Sequence, residues 1–180
     1  MTERIEFLRT LRSVRTFTSD PVPDDVIDDI LTVARWSGSS MNAQPWELVV
    51  IRDHEMLAEI AGLDGYASHL ACAQAGIVVV MSVVDGEQEV WDEGKLAERI
   101  MLAAWAHGVG SCIASIYPDA NKARARALLG VPAKRWLHTV IALGYPADEK
   151  ALRLSADRAG LADVPIGRVS VQDLVSLERN

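Results

Sequence analysis

Two cysteines in 180 residues, Cys72 and Cys112, are too few for a disulfide framework or a thiolate metal site. Each sits in an apolar stretch outside any CxxC or zinc-ligand spacing, and both read as buried free thiols in a reducing compartment. Histidine is also sparse. His54, His69, His107 and His138 are scattered, and the nearest pairing, His69 with Cys72, offers only two ligands, so no metal centre is expected. Basic charge is in deficit, with 18 Lys and Arg against 25 Asp and Glu, a net charge of -7 and a pI near 5.1. That balance argues against a general affinity for nucleic acid, which needs a basic footprint to displace counterions. Long hydrophobic runs are missing too. The strongest, Gly76 to Val84, is less than half the roughly 20 residues of a membrane helix and reads as a buried strand. No GxSxG element supports a hydrolase. Gly108-Val-Gly110 fails as a dinucleotide fingerprint, because Ile113 occupies the third glycine position and a long helix, not a first strand, precedes it. The arginine-rich start carries Glu3 and Glu6 and lacks an apolar core, so a cytoplasmic protein is expected.

What is present is the composition of an ordinary globular domain, 49% hydrophobic and 24% charged. A single domain over 1–180 is expected, large enough to bury on the order of 70% of its unfolded surface. Thr2 can cap a short helix with Ile5, Leu8 and Leu11 on one face. Pro23, Asp24 and Asp25 open a second helix, in which Val26, Ile27, Ile30, Leu31 and Ala34 repeat at helical spacing up to Gly38. Trp46 to Ile51 reads as a strand, 54–63 and 66–75 as short helices, and 77–84 as a strand. A long helix from about Val90 to His107 presents Leu96, Ile100, Ala103 and Ala104 together and stops at Gly108. Val109 to Ile116 returns to strand, Pro118 and Asp119 open another helix, and Trp136 to Gly144 forms a last central strand. The class is α+β, with a mixed central sheet flanked by helices. The stretch from Asp148 to Arg168 lacks a sustained apolar period and reads as an extended arm that needs a surface to lie on.

Two clusters carry candidate chemistry. Arg12 and Arg15, with Ser13 between them, can converge on one phosphate through charge-assisted bonds, with Arg168 as a third cation; the plainer reading is solvated surface arginines. Ser37 to Trp46 places hydroxyls and side-chain amides in one loop, suited to the edge of a heterocycle or simply to satisfying its own backbone. The five tryptophans, Trp36, Trp46, Trp91, Trp105 and Trp136, are expected mainly in the core or an interface, with Trp91 or Trp105 as candidates to line a substrate pocket.

Taken in order, Arg12-Ser-Val-Arg-Thr-Phe17, Ser39-Ser-Met-Asn-Ala-Gln-Pro-Trp46, Leu102 to Ser111, Ala142-Leu-Gly-Tyr-Pro146 and Arg168 resemble the nitroreductase family of flavoproteins. The RSxR and NxQPW elements are the specific part, and the resemblance spans nearly the whole chain. It implies a homodimer that holds FMN at its interface and uses NAD(P)H to reduce a small oxidised acceptor, with the C-terminal arm wrapped on the partner. It also implies that Arg12, Ser13, Val14 and Arg15 meet phosphate and flavin from one side, with Arg168 at the phosphate. Ser39, Ser40 and Asn42 would approach from the partner subunit, and the backbone of Ile113-Ala-Ser-Ile116, with Ala114 and Ser115 at its centre, would lie against the N5 edge. No side chain is expected to act as an indispensable acid or base, since the cofactor carries the reaction. The chain departs from many members at Leu11, where they have a basic residue, and at Ser37-Gly38, where they have Ala-Pro. The alternatives are an FMN-binding or flavin-sensing protein without turnover, or a family member specialised for another flavin-dependent reduction or dehydrogenation.

Overall fold

The computed structural model describes residues 2–63, 65–82, 87–148, 159–161, 164–166 and 168–176. Helices α1 (Glu3–Thr10) and α2 (Asp24–Ala34) precede strand β1 (Trp46–Ile51) and helix α3 (His54–Ala61). Strands β2 (Gly65–Tyr66) and β3 (Ala75–Met81) follow, then the long helix α4 (Glu87–Ala106), β4 (Gly110–Ile116), α5 (Asp119–Leu128) and β5 (Trp136–Gly144). A hairpin of β6 (Ala159–Leu161) and β7 (Val164–Ile166) and a short helix α6 (Val171–Leu174) complete the described elements.

Five strands form one sheet in the order β1-β3-β5-β4-β2, and all neighbouring pairs are antiparallel. The sheet is therefore less mixed than the alternation of strands and helices suggests. Strands β3 and β4 do run in the same direction, as a helical crossover through α4 requires, but β5 inserts between them in the opposite sense. The only parallel pairing among the described residues is the bridge from Ser13 to Ser111.

Helices cover both faces, which is why every residue of β3 is buried and its sequence is a continuous apolar run. Ile77, Val79 and Met81 face α2 and α4, where Ile27, Ile30, Leu96, Ile100 and Ala104 complete one core cluster. Val78 and Val80 face the opposite layer, with Leu57, Ile60, Leu70, Ala114 and Ala125. The 3.6-residue spacing of α2 and α4 and the period of two in the strands produce these layers directly.

The segment from Arg12 to Thr18 has no regular structure, yet it is stitched to the sheet. Val14 N–H donates to the Ser111 carbonyl (2.9 Å), Thr18 N–H to that of Tyr145 (2.8 Å), and Ala147 N–H to that of Thr16 (3.0 Å). Two strand glycines allow this approach. A Cβ on Gly110 would lie 2.9 Å from the Cβ of Val14, and one on Gly144 would lie 2.8 Å from Phe17.

Several expectations change. The helix expected over 66–75 contracts to a 3₁₀ turn, Ser68–Cys72, because β2 takes Tyr66 into the sheet edge. Cys72 is exposed, not buried: it ends that turn at the protein surface, where its thiol donates to the carbonyls of Arg15 and His69, both at 3.3 Å. Cys112 is buried as expected. In α1 no residue is buried, and Ile5 and Leu8 are half-exposed. Of the arm from 148 to 168, residues 149–158, 162, 163 and 167 lie outside the described residues. Among the described residues, no helix is long and apolar enough to cross a membrane, and no group of three or more His, Cys, Asp or Glu is placed to hold a metal.

Candidate functional site

The sheet contact described above fixes Val14 at zero exposure and leaves its neighbours Ser13 and Arg15 at the surface, so the buried residue anchors the polar ones. Arg12, half-buried, caps the end of α1 by donating from Nη1 to the carbonyls of Arg9 (2.8 Å) and Leu11 (2.6 Å). Burial lowers its pKa, and the positive charges of Arg168 and Arg9 lower it further. Arg12 and Arg168, from opposite ends of the sequence, lie close enough to act on each other, an arrangement that an anion between them would relieve.

A few residues along, Arg15 lines an open cavity of 430 Å³ with Gly65, Tyr66, Ser68, His69 and Ile113. Strand β4 contributes Ile113 to its lining. Ile113 and Ser115 share the outward face, whereas Ala114 on the opposite face is fully buried in the core, so Ala114 can offer only its backbone. Outside β4, Ser13 bridges to Ser111 and Tyr66 pairs with Ser115. Between these two bridges, at Ile113, the outer flank of the strand carries no paired strand among the described residues.

His69 and Ser111 each bury a polar atom, Nε2 and Oγ, without a hydrogen-bond partner. Burial lowers the His69 pKa, the Cys112 carbonyl raises it and the Arg15 charge lowers it again, with a net downward shift that keeps the ring neutral near pH 7. Burial pushes the Cys112 thiol up, partly countered by Arg15 and the Ser13 hydroxyl, so this cysteine stays an inert thiol.

The loop with Ser39, Ser40 and Asn42 is held elsewhere in the chain. Ser40–Asn42 forms a 3₁₀ turn whose Met41 and Asn42, like Gln44 beyond it, have left-handed backbone (φ 50, 55 and 49°). Such conformations in non-glycine residues cost on the order of 1 kcal/mol each and persist only where surroundings hold them. Here the holders are the Ser39 hydroxyl, which accepts from Gln44 N–H (2.8 Å), and the Asp92 carboxylate on α4, which accepts from Ser40 N–H (3.1 Å). Among the described residues the loop makes no hydrogen bond to the Arg12–Arg15 segment. The chain thus sets the charges of Arg12 and Arg168 against each other and Arg15 at the cavity, while Ser39, Ser40 and Asn42 belong to a turn tied to α4 through Asp92.

The sequence pattern did not single out Tyr66, Ser68 or His69 as cavity walls, nor Asp92, and it offered Ile113 only through its backbone. Strand β2 is too short to signal itself, and Asp92 reads as one more charge on a solvated helix although its side chain is only 5% exposed. Period-two alternation in β4 was the available signal for Ile113. Of the tryptophans, Trp36 and Trp91 are 71% and 70% exposed. Trp105 is half-buried and its Nε1 donates to Thr10 Oγ1 at 2.9 Å, tying α4 to α1.

The model of the nitroreductase family matches this chain over residues 8–88 and 64–145. An Archaeoglobus fulgidus protein provisionally named NADH dehydrogenase/NAD(P)H nitroreductase is 35% identical over 163 residues, covering 88% of this chain and 94% of its own. An NADH dehydrogenase of Thermus thermophilus is 28% identical over 176 residues, covering 77% and 84%. Among solved structures, an FMN-dependent nitroreductase from Clostridium difficile superposes with a TM-score of 0.75 at 28% identity, covering 89% of this chain and 99% of that one. With the sheet order, the docked RSxR segment and the family match all in agreement, the chain belongs to the nitroreductase family.

Proposed function

We propose that this chain is an FMN-dependent oxidoreductase that, as a homodimer, moves a hydride from NAD(P)H to a small oxidised organic acceptor such as a nitroaromatic or a quinone. Family membership supports the cofactor and the reaction class. The observation that carries the site assignment is the mutual action of the Arg12 and Arg168 charges, with Arg15, three residues from Arg12, on an open cavity that Ile113 of β4 helps to line. Two guanidinium groups suit a phosphate dianion, and a polar cavity next to an open strand flank suits a ring with donors and acceptors on its edge. The residues present therefore fit FMN. When bound, FMN supplies the two-electron hydride chemistry at its N5 edge.

The work of the protein is positioning and electrostatics. Arg12, Ser13 and Arg168 hold the phosphate, with Val14 as the buried anchor that fixes their spacing. Arg15, at the cavity, stabilises negative charge on the ring edge nearest to it. The backbone around Ala114 and Ser115 would offer hydrogen-bonding groups to the bound ring. Ser39, Ser40 and Asn42 complete the site across the dimer interface. Exposed Ile5 and Leu8 of α1, Trp36, and Val171 and Leu174 of α6 provide apolar surface for a second copy. Donor and acceptor occupy the one cavity in turn.

Anaerobic addition of NAD(P)H to the flavin-loaded protein is expected to bleach its absorbance within a turnover time. Double-reciprocal plots against NAD(P)H at several fixed acceptor concentrations are expected to be parallel. Absence of bleaching would reduce the protein to a flavin binder, and intersecting lines with a detectable ternary complex would overturn the single-cavity mechanism.

A further inference from the structure

Asp92 stands in an unusual position for a helix carboxylate. Its side chain is 5% exposed although α4 is otherwise charged on this stretch, and both its oxygens are engaged. Oδ1 receives the Lys95 ammonium at 2.6 Å, and Oδ2 accepts the Ser40 N–H at 3.1 Å from 52 positions earlier in the chain. Burying a carboxylate is costly unless it is fully bonded. The bonds are satisfied here by a lysine one turn away and by a single backbone N–H of the Ser39–Asn42 turn. That N–H begins the only stretch among the described residues where non-glycine backbone adopts left-handed φ, at Met41, Asn42 and Gln44. The turn buries no side chain of its own: Met41 is 94% exposed and Asn42 and Gln44 are also exposed. Packing therefore does not hold its shape. Hydrogen bonds do: within the turn Asn42 N–H donates to the Ser39 carbonyl (3.1 Å), Ala43 N–H to that of Ser40 (3.0 Å) and Gln44 N–H to the Ser39 hydroxyl (2.8 Å), and the bond from Ser40 N–H to Asp92 ties the turn to α4.

We propose that Asp92 is a positioning residue for the cofactor: through the Ser40 N–H it locks the Ser39–Asn42 turn in the conformation that presents Ser39, Ser40 and Asn42 to FMN in the partner subunit. This rests on the FMN-binding reading above. The ion pair to Lys95 has the subordinate task of keeping the carboxylate oriented, because it engages the oxygen that does not touch the turn.

The test uses the full-length dimer and two readouts, hydrogen exchange of the Ser40 amide and the dissociation constant for FMN from fluorescence quenching. Asp92→Ala is expected to speed Ser40 exchange and weaken FMN binding, each by about 10-fold, the factor for one hydrogen bond to a charged group. Asp92→Asn, which keeps an acceptor oxygen for the Ser40 N–H, is expected to restore most of both. Lys95→Met, which removes the ion pair but leaves the Ser40 bond, is expected to leave FMN affinity within about 3-fold of the parent, a loss under 1 kcal/mol. A merely structural Asp92 would lower thermal stability in all three variants and leave the two readouts uncorrelated. If Asp92→Ala does not fold, Asp92→Leu, which fills the volume but offers the Ser40 N–H no acceptor, is expected to show the same two changes together. Release of the Ser40 amide with unchanged FMN affinity, in any folded variant, would overturn the proposal. A parent protein that binds no FMN at all would instead remove the functional reading on which it rests.

Discussion

Replacing Gly110 with alanine drives a methyl group into Val14. The added Cβ would lie 2.9 Å from Val14 Cβ, 2.9 Å from Cγ2 and 3.0 Å from Cγ1, distances that force a shift. Val14 has little freedom to give way, because it is fully buried, β-branched and tied by its N–H to the Ser111 carbonyl. Overpacking of this kind costs about 1–3 kcal/mol, and the Arg12–Arg15 segment is expected to lift from the sheet to relieve part of it. Val14→Ala alone removes two buried methyl groups, at about 0.8 kcal/mol each plus a cavity term, for a loss of about 2 kcal/mol. The pair together relieves two of the three close contacts, so the double variant is expected to be about 1 kcal/mol more stable than the sum of the singles. Urea unfolding with an unchanged slope reads these differences directly. FMN affinity of Gly110→Ala is expected to fall as well, because the anchor carries the arginines with it. A neutral Gly110→Ala, or strictly additive singles, would show that the segment is not held by this contact.

Arg168→Ala is expected to weaken FMN binding by about 10- to 150-fold, the equivalent of about 1.5–3 kcal/mol, while riboflavin, which lacks the phosphate, binds as before; equal losses for both would make the arginine structural. Arg15→Ala is expected to slow flavin reduction by NAD(P)H and to lower the flavin midpoint potential, measured by anaerobic titration. For Asp92, burial pushes the carboxyl pKa up, but the Lys95 ammonium and the Ser40 N–H more than offset it, so the folded value lies below the ordinary one. Its contribution to stability is therefore complete above the unfolded value near ~3.9 and is lost as pH falls through the folded value beneath it. The difference in urea midpoint between parent and Asp92→Asn is expected to be constant above pH ~5 and to shrink in that acid range; a constant difference at every pH would contradict this.

Most of the fold was legible because its elements are strongly periodic. Trp46–Ile51 and Trp136–Gly144 were bounded correctly by proline, glycine and β-branched content, and the buried face of α4 by its spacing. The strand order was not legible, since the insertion of β5 between β3 and β4 is a long-range pairing that local pattern does not encode. Cys72 was misread for a related reason: its apolar neighbours Leu70 and Ala73 are buried, but a 3₁₀ turn rotates it outward. At the site, the RSxR spacing announced a cation cluster, and the structure adds the reason it is held in place, Val14 against Gly110. The cavity walls at Tyr66 and His69 came from a two-residue strand and a 3₁₀ turn, both too short to carry a period. The role of Asp92 was hidden because burial of a helix carboxylate depends on a loop 52 positions earlier in the chain.

The central claim is that two copies of this chain enclose FMN, held at the phosphate by Arg12 and Arg168. The most direct measurement is the flavin content and mass of the purified protein, by absorbance and light scattering after saturation with FMN. The account predicts a yellow homodimer with about one FMN per chain, the number expected of two equivalent sites in a C₂ dimer. A colourless monomer that takes up no added FMN would contradict it.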